Sequence, residues 1–418
     1  MKLLYNIVVG LYVLMIRGGF LFKHKKARLW INGRKNWKQN LQQKIIDGEK
    51  WIWFHCSSLG EFEDGRELID KVKLESPSLK ILLTFFSPSG YEIRKNYSHA
   101  DCVMYLPADF PKNAKTFLDI LKPKVIFFIH SEIWFNYISE IHKIKIPLYL
   151  ASIAISSESK FLKWPGRLMY RKAFSYFDYI FCHDEKTKFF LSEHFNVTKI
   201  SITGNMRFDR VFREAENEKH FPEIKNFSDN KFCIIAGSTL AKDEKIILES
   251  LGSLADLPFK LIMVPHDPDE EKLKKLQNEN TEMIAYSNIA ELKPSHKILW
   301  IDCVGILASL YRYADVAIIG GGFNSIGIHN ILEPAVYGVP VAFGPNHRNY
   351  TEALEMLDIG YASIFMNTED LTTWLRNAYQ ERENNHKNQK IKSYIEQNTG
   401  ATEMILLEMR ETLNKIIQ

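Results

Sequence analysis

The sequence predicts an α/β chain of two Rossmann-like domains facing a central cleft, preceded by an N-terminal membrane-associated helix. Three observations predict it. From about residue 50, short apolar runs alternate with amphipathic stretches, the pattern of β/α units around a parallel sheet. That alternation occurs in two series, separated by a polar, charge-rich stretch over residues 209–230. Residues 3–22 form a separate segment that is apolar apart from Asn6, its glycines and Arg17.

Taken in order, residues 1–48 read as a membrane anchor followed by a basic stretch. As a helix, residues 3–22 reach roughly 30 Å, about one bilayer core. Arg17 is costly within a span unless it reaches the interface, so crossing the bilayer and lying on it both remain open. The almost uncharged start and the lack of a small-residue cleavage site argue against a removed signal peptide. Residues 1–50 carry eleven Lys and Arg against only Asp47 and Glu49, an excess suited to an anionic lipid surface and to a cytoplasmic location. Candidate strands of the first domain (49–208) are 51–56, 81–86, 102–106, 125–129, 147–153, 179–182 and 200–203. Residues 209–230 read as a linker with at most a turn or two of helix. The second domain (231–388) offers strands at 232–236, 261–264, 283–286, 298–301, 316–319 and 339–343, and residues 389–418 read as C-terminal helices.

Bulk properties narrow the function. A chain of 418 residues, 46% hydrophobic and 25% charged, is too long for one core, and a net charge of +4 does not indicate a nucleic-acid partner. Five cysteines stand singly, without metal or disulfide spacing, as in a reducing cytoplasm. The thirteen histidines show no metal spacing, and neither H-E-x-x-H nor G-x-S-x-G occurs, so metal-free chemistry without a cofactor is the expectation.

Open parallel sheets bind ligands beyond the carboxyl ends of their strands. There the first series places Ser57-Ser58-Leu59-Gly60-Glu61, His130-Ser131-Glu132-Ile133-Trp134 and Gly204-Asn205-Met206-Arg207-Phe208-Asp209. The second places Gly237-Ser238-Thr239, Pro265-His266, Asp302-Cys303-Val304-Gly305 and a glycine-rich turn at 320–327 that delivers His329, Asn330 and Glu333. Glu61 in the first turn of a helix suits a general base, and equally a helix cap. Glu132 adds a second acid to the same sheet, although a surface carboxylate reads alike. Gly237-Ser238-Thr239 offers amides to an anion or an ordinary hydroxyl cap. The glycine-rich turn fails both nucleotide motifs: Ile328 and His329 replace the Lys-Ser/Thr of a Walker loop, and Ser325 stands where G-x-G-x-x-G needs Gly. Glu333 has the chemistry to accept from a ribose diol. Trp51, Trp53, Trp134 and Trp164 read as core or membrane-facing anchors.

Ser58-Leu59-Gly60-Glu61, Ser131-Glu132-Ile133-Trp134, Thr203-Gly204-Asn205-Met206-Arg207-Phe208-Asp209, Gly237-Ser238-Thr239 and His329-Asn330-Ile331-Leu332-Glu333-Pro334-Ala335 follow one another as in the 3-deoxy-D-manno-octulosonic acid (Kdo) transferases, glycosyltransferase family 30, which the chain resembles over roughly residues 50–360. The resemblance implies a GT-B fold and inverting, metal-free transfer of Kdo from CMP-Kdo to a lipid A precursor (lipid IVA), at the cytoplasmic face of the inner membrane, in lipopolysaccharide synthesis. It implies that Glu61 is the general base and that Glu132 and Arg207 support the transition state. CMP is then expected at Pro265, His266, the Val304-Gly305-Ile306 turn, and Asn330, Ile331, Leu332 and Glu333, with Ser238 nearby. Many members read Pro-Arg-His where this chain has Pro265-His266-Asp267, so an arginine contact to CMP is missing. Two other readings stay open on the residues alone: a GT-B enzyme using a UDP-sugar, and a two-domain binding protein without catalysis.

Overall fold

The apolar runs become strands buried on both faces of their sheets. The computed structural model describes residues 2–130, 133–155, 166–216, 219–325, 327–348, 350–382 and 385–417. It divides into two compact units, one formed by Met1–Arg210 with Asn398–Gln418 and the other by Val211–Gln397.

The first unit holds β1 (Trp51–Cys56), β2 (Lys80–Phe85), β3 (Cys102–Tyr105), β4 (Val125–Ile129), β5 (Leu148–Ile153), β6 (Tyr179–Cys182) and β7 (Ile200–Ile202). All are parallel, in the order β3-β2-β1-β4-β5-β6-β7. Alternate residues of β1 enter opposite cores. Trp51 and Trp53 pack with Leu82, Ile126 and Phe128, while Ile52 and Phe54 pack with Ile81, Leu83 and Phe127. With helices over both faces neither side can be polar, and the strands read as continuous apolar runs rather than as alternation.

The second unit holds β8 (Phe232–Thr239), β9 (Phe259–Pro265), β10 (Met283–Ala285), β11 (Ile298–Trp300), β12 (Val316–Ile319), β13 (Val341–Phe343) and β14 (Ala362–Ile364). Its sheet, also parallel, runs β10-β11-β9-β8-β12-β13-β14. Each unit is therefore doubly wound, with its topological switch between β1 and β4 in the first and between β8 and β12 in the second. Strand β14 is absent from the sequence reading. Its three residues lie at the sheet edge with only Ala362 buried, too little apolar character to mark a strand.

The stretch 209–230 is more ordered than a linker. Helix Met206–Glu216 carries the chain from the first unit into the second, and Pro222–Ser228 follows with Ile224 and Phe227 buried. Polar residues there mark the solvent faces of two helices. The last helix, Ala401–Ile417, buries Ile405, Met409 and Leu413 in the core of the first unit. Asp209 caps its start: Oδ1 accepts from the Gly400 amide at 2.5 Å and Oδ2 from the Thr402 amide at 2.7 Å.

Helix Lys2–Leu21 is long and apolar enough to cross a membrane by length and composition. One face is nevertheless docked on its own unit. The Tyr5 hydroxyl donates to Asp109 Oδ2 at 2.5 Å, Asn6 Oδ1 accepts from Asn136 Nδ2 at 2.8 Å, Val9 is buried, and Val13 and Ile16 pack near Trp30 and Phe86. The other face exposes Leu3, Leu4, Ile7, Val8, Leu11, Leu14 and Met15. Arg34 fixes the chain beyond this helix. Its guanidinium lies 3.8 Å from the Trp30 ring centroid and donates to the carbonyls of Trp30, Phe86 and Leu106 at 3.0, 2.7 and 2.8 Å. Burial lowers its pKa to about 9, which leaves it charged at neutral pH.

Candidate active site

The first unit gathers its polar groups at the switch point. Beyond β1, Ser58 caps helix Leu59–Glu75, its hydroxyl accepting from the Glu61 amide at 3.5 Å, and Glu61 Oε2 turns back to accept from the Ser57 amide. This is a capping box displaced by one residue. Cap and carboxylate thus share one geometry: half-exposed Glu61 is oriented by the backbone it caps. One turn further on, Asp64 is 2% exposed and receives the Arg207 Nε proton, with His130 Nε2 at 3.9 Å from its other oxygen. Arg207 comes from beyond β7, at the start of helix Met206–Glu216, so three chain segments meet on one carboxylate. His183, beyond β6, accepts or donates at 2.8 Å with Ser152 Oγ, and its pKa is pulled down to about 3 by desolvation and by the neighbouring His130, which leaves it neutral.

Backbone conformation marks the same places. His130 after β4 (φ 66°), Ser152 in β5 (φ 61°) and Ser238 in β8 (φ 53°) are left-handed without being glycine. Ser152 and Ser238 each sit where the strand pairing shifts register, between Leu150 and Ile153 and between Gly237 and Thr239. Bulges are uncommon in parallel ladders, and a left-handed residue costs about 1–3 kcal/mol, so strain is held at the carboxyl edge of both sheets.

In the second unit, Asp243 in the first turn of helix Ala241–Gly252 accepts from the Leu240 amide at 2.8 Å and the Gly321 amide at 2.9 Å. The helix start expected to face an anion therefore already holds a buried carboxylate, whose pKa burial raises. Glycine at 320 is obligatory, because a Cβ would lie 2.2 Å from the Ser238 carbonyl oxygen. Pro265, the last residue of β9, is buried, and the exposed His266 that follows stacks on His329 with ring centroids 4.7 Å apart. Burial and His266 lower the His329 pKa to about 4, so this imidazole is neutral at physiological pH. Asn330 donates to Glu333 Oε1 at 3.1 Å and accepts from the Leu332 amide at 3.0 Å, which fixes the Glu333 carboxylate, while Ile331 and Leu332 are buried. Val304 and Gly305 form an exposed turn, with Gly305 at φ 90° and Ile306 following.

Two of the residues expected from sequence, Glu61 and Arg207, thus share the carboxyl edge of the first sheet. Ser238 and Pro265 close β8 and β9 at that edge of the second, and His266, Val304, Gly305, Ile306, Asn330, Ile331, Leu332 and Glu333 belong to its loops and helix starts. Glu132 and Trp164 lie outside the described residues. Trp51 and Trp53 are core, whereas Trp134 donates from Nε1 toward His55 Nε2 at 3.0 Å and Ser57 Oγ at 3.3 Å. Asp64, Ser152 and His183 went unmarked in the sequence. Asp64 was findable, being three residues after Glu61 and hence on the same helix face.

Residues 31–210 match the family described as 3-deoxy-D-manno-octulosonic-acid transferase (kdotransferase). A 3-deoxy-D-manno-octulosonic acid transferase of Chlamydia trachomatis is 26% identical over 374 residues, 86% of each chain. These likenesses support a Kdo transferase. Another relative, a bifunctional glycosyltransferase/methyltransferase of Fusobacterium nucleatum, is 29% identical over 395 residues, 90% of this chain and 59% of that one, so the chain spans less than two thirds of that longer protein. Among solved structures, the UDP-GlcNAc 2-epimerase of Neisseria meningitidis bound to UDP-GlcNAc has a TM-score of 0.60 at 17% identity, covering 87% of this chain and 100% of the epimerase. That likeness shows the fold: two Rossmann-like units of the GT-B class.

Proposed function

We propose that this chain transfers Kdo from CMP-Kdo to a hydroxyl of a lipid A precursor (lipid IVA), with inversion at the anomeric carbon and without a metal or other cofactor. The observation that carries the reading is the meeting of Asp64, Arg207 and the Glu61 helix start at the switch point of the first sheet, within the segment that matches the family. In this mechanism the Glu61 carboxylate takes the proton of the acceptor hydroxyl as its oxygen bonds to the anomeric carbon. The bond from that carbon to the phosphate oxygen breaks, and CMP departs with the electron pair. Arg207, oriented by Asp64, stabilises the charge that develops, and Glu132 assists. On the second unit, Glu333 held by Asn330 accepts from the ribose diol, and the backbone around Ser238, Pro265-His266 and Val304-Gly305-Ile306 receives the rest of the nucleotide.

The exposed face of helix Lys2–Leu21 supports attachment to the cytoplasmic face of the inner membrane. A helix docked along Tyr5, Asn6 and Val9, with leucines outward, fits one lying in the interface better than one crossing alone, and the basic residues that follow suit anionic headgroups. The deciding experiment incubates purified protein with a lipid A precursor and either CMP-Kdo or UDP-sugars, then weighs the lipid product by mass spectrometry. Addition of Kdo from CMP-Kdo is expected; transfer from a UDP-sugar with none from CMP-Kdo overturns the reading.

A further inference from the structure

Helix Lys2–Leu21 is tied to segments that pack in turn on the Ser57 loop that holds Glu61. The Tyr5 hydroxyl donates to Asp109 Oδ2 and accepts from the Phe135 amide at 3.3 Å, the first residue of helix Phe135–Ile144. Asp109 is 1% exposed, and its two oxygens take the amides of Asn136 and Tyr137 at 3.1 and 3.0 Å. This carboxylate therefore caps helix Phe135–Ile144 and holds the N-terminal helix at the same time. A second route runs through rings. Tyr12 stacks on Phe86 with centroids 6.0 Å apart, Trp30 meets Phe86 edge-on at 5.7 Å, and Phe86 packs against Trp134 at 4.2 Å.

Both routes end on Ser57. The indole of Trp134 directs its N–H at His55 and Ser57 Oγ, and His55 Nε2 in turn lies 3.0 Å from Ser57 Oγ. Burial lowers the His55 pKa to about 3, so it stays a neutral hydrogen-bonding partner. The Ser57 carbonyl accepts from the amides of Phe86 at 3.2 Å and Ser87 at 2.7 Å, and the Ser57 amide donates to Glu61 Oε2. Phe86 is thus held by Tyr12, Trp30 and the Arg34 guanidinium on one side and grips Ser57 on the other.

We propose that the N-terminal segment is a working part of the catalytic site: Tyr5 and Tyr12 are positioning residues that fix Ser57, and through its amide the orientation of the Glu61 carboxylate. The inference rests on Glu61 acting as the base. It differs from membrane attachment, because it requires the helix even when acceptor and enzyme meet without a bilayer.

The test uses the full chain with a detergent-dispersed acceptor, comparing Tyr5→Phe, Tyr12→Ala and Tyr12→Phe. Tyr12 is 41% exposed, so its truncation leaves the fold intact, and thermal melting checks this. With Tyr12→Ala, kcat is expected to fall about tenfold at saturating acceptor, the scale of a small misplacement of a reacting group. The KM for CMP-Kdo and co-sedimentation with anionic vesicles stay unchanged, and Tyr12→Phe, which keeps the ring, restores kcat. Tyr5→Phe, which loses the bond to Asp109, lowers kcat similarly. Hydrogen–deuterium exchange over residues 57–61 rises in Tyr12→Ala and Tyr5→Phe, a readout independent of activity. Unchanged kcat and exchange, with loss confined to vesicle binding, overturn the proposal and leave the helix as an anchor alone. If the wild-type chain transfers no Kdo, the functional reading fails, while the exchange measurement still decides the physical coupling.

Discussion

Arg207 donates its Nε proton to Asp64, so the cation assigned to transition-state support is oriented by a carboxylate only 2% exposed, one helical turn beyond Glu61. The Glu61 carboxylate and this guanidinium are therefore referred to the same helix, and a disturbance of its first two turns moves both.

Asp64→Asn removes the charge that holds Arg207 while keeping the side-chain shape. We expect kcat to fall by at least ~10-fold with the KM for CMP-Kdo unchanged, as for a group acting only in the transition state. The Arg207 side chain is 31% exposed, so water takes over part of its solvation and the stability loss in urea titration should be about 1–3 kcal/mol. Glu61→Gln should instead abolish transfer at unchanged stability, with CMP-Kdo binding retained in calorimetry. Normal turnover by that variant would remove Glu61 from its assigned role.

Asp209→Ala uncaps the last helix. Both carboxylate oxygens are engaged by amides at its start, and losing such a cap costs about 1–2 kcal/mol. The melting temperature should drop, and limited proteolysis should cut near residue 400 before any other site. Asp209→Asn, which keeps one acceptor, should lose less.

Asp109 gives the stability a pH dependence of definite sign. Burial raises its folded pKa to about 6, against bond donation from Tyr5, Asn136 and Tyr137 that lowers it. Between about pH 3.8 and 6 the folded protein holds a proton that the unfolded chain has released, so this group's stabilisation is full below that window and is lost as pH rises through 6. Denaturation midpoints of wild type and Asp109→Asn, compared at pH 4, 5, 6 and 7, should diverge in that interval with the variant the flatter.

The stacked pair His266 and His329 predicts a titration. His329 should remain neutral down to about pH 4, and His266→Ala, by removing a like charge and some burial, should shift its titration upward. Histidine-resolved NMR reads this directly. An unmoved titration would mean that other groups depress it.

The strands were legible because sheets covered on both faces force uninterrupted apolar runs. β1, β4, β6 and β12 begin and end where the apolar runs do. Strand β14 was not, since an edge strand of three residues owes its conformation to pairing with β13 rather than to its own composition. Glu61 and Arg207 could be found because each follows a strand within a motif, at the start of the next helix. Asp109, Asp243 and His183 have meaning only through partners distant in sequence: Tyr5, Gly321 and Ser152. A lone polar residue gives no local sign of a partner 31 to 104 residues away. The docked face of the first helix was hidden for a related reason. Asn6 read as a blemish in an apolar segment and Tyr5 as part of that segment, and only the position of Asp109 and Asn136 makes them its attachment.

The return of helix Ala401–Ile417 to the first unit has a consequence for biosynthesis. The polypeptide of that unit is discontinuous, with the whole of Val211–Gln397 inserted before its final element. On a ribosome its seven strands emerge long before Ile405, Met409 and Leu413, the side chains that complete the lower apolar layer. The inserted unit can mature first, while the unit begun earliest waits with an uncovered greasy flank until translation ends. Chaperone capture during synthesis, and the fate of chains terminated before residue 398, should follow from that waiting period.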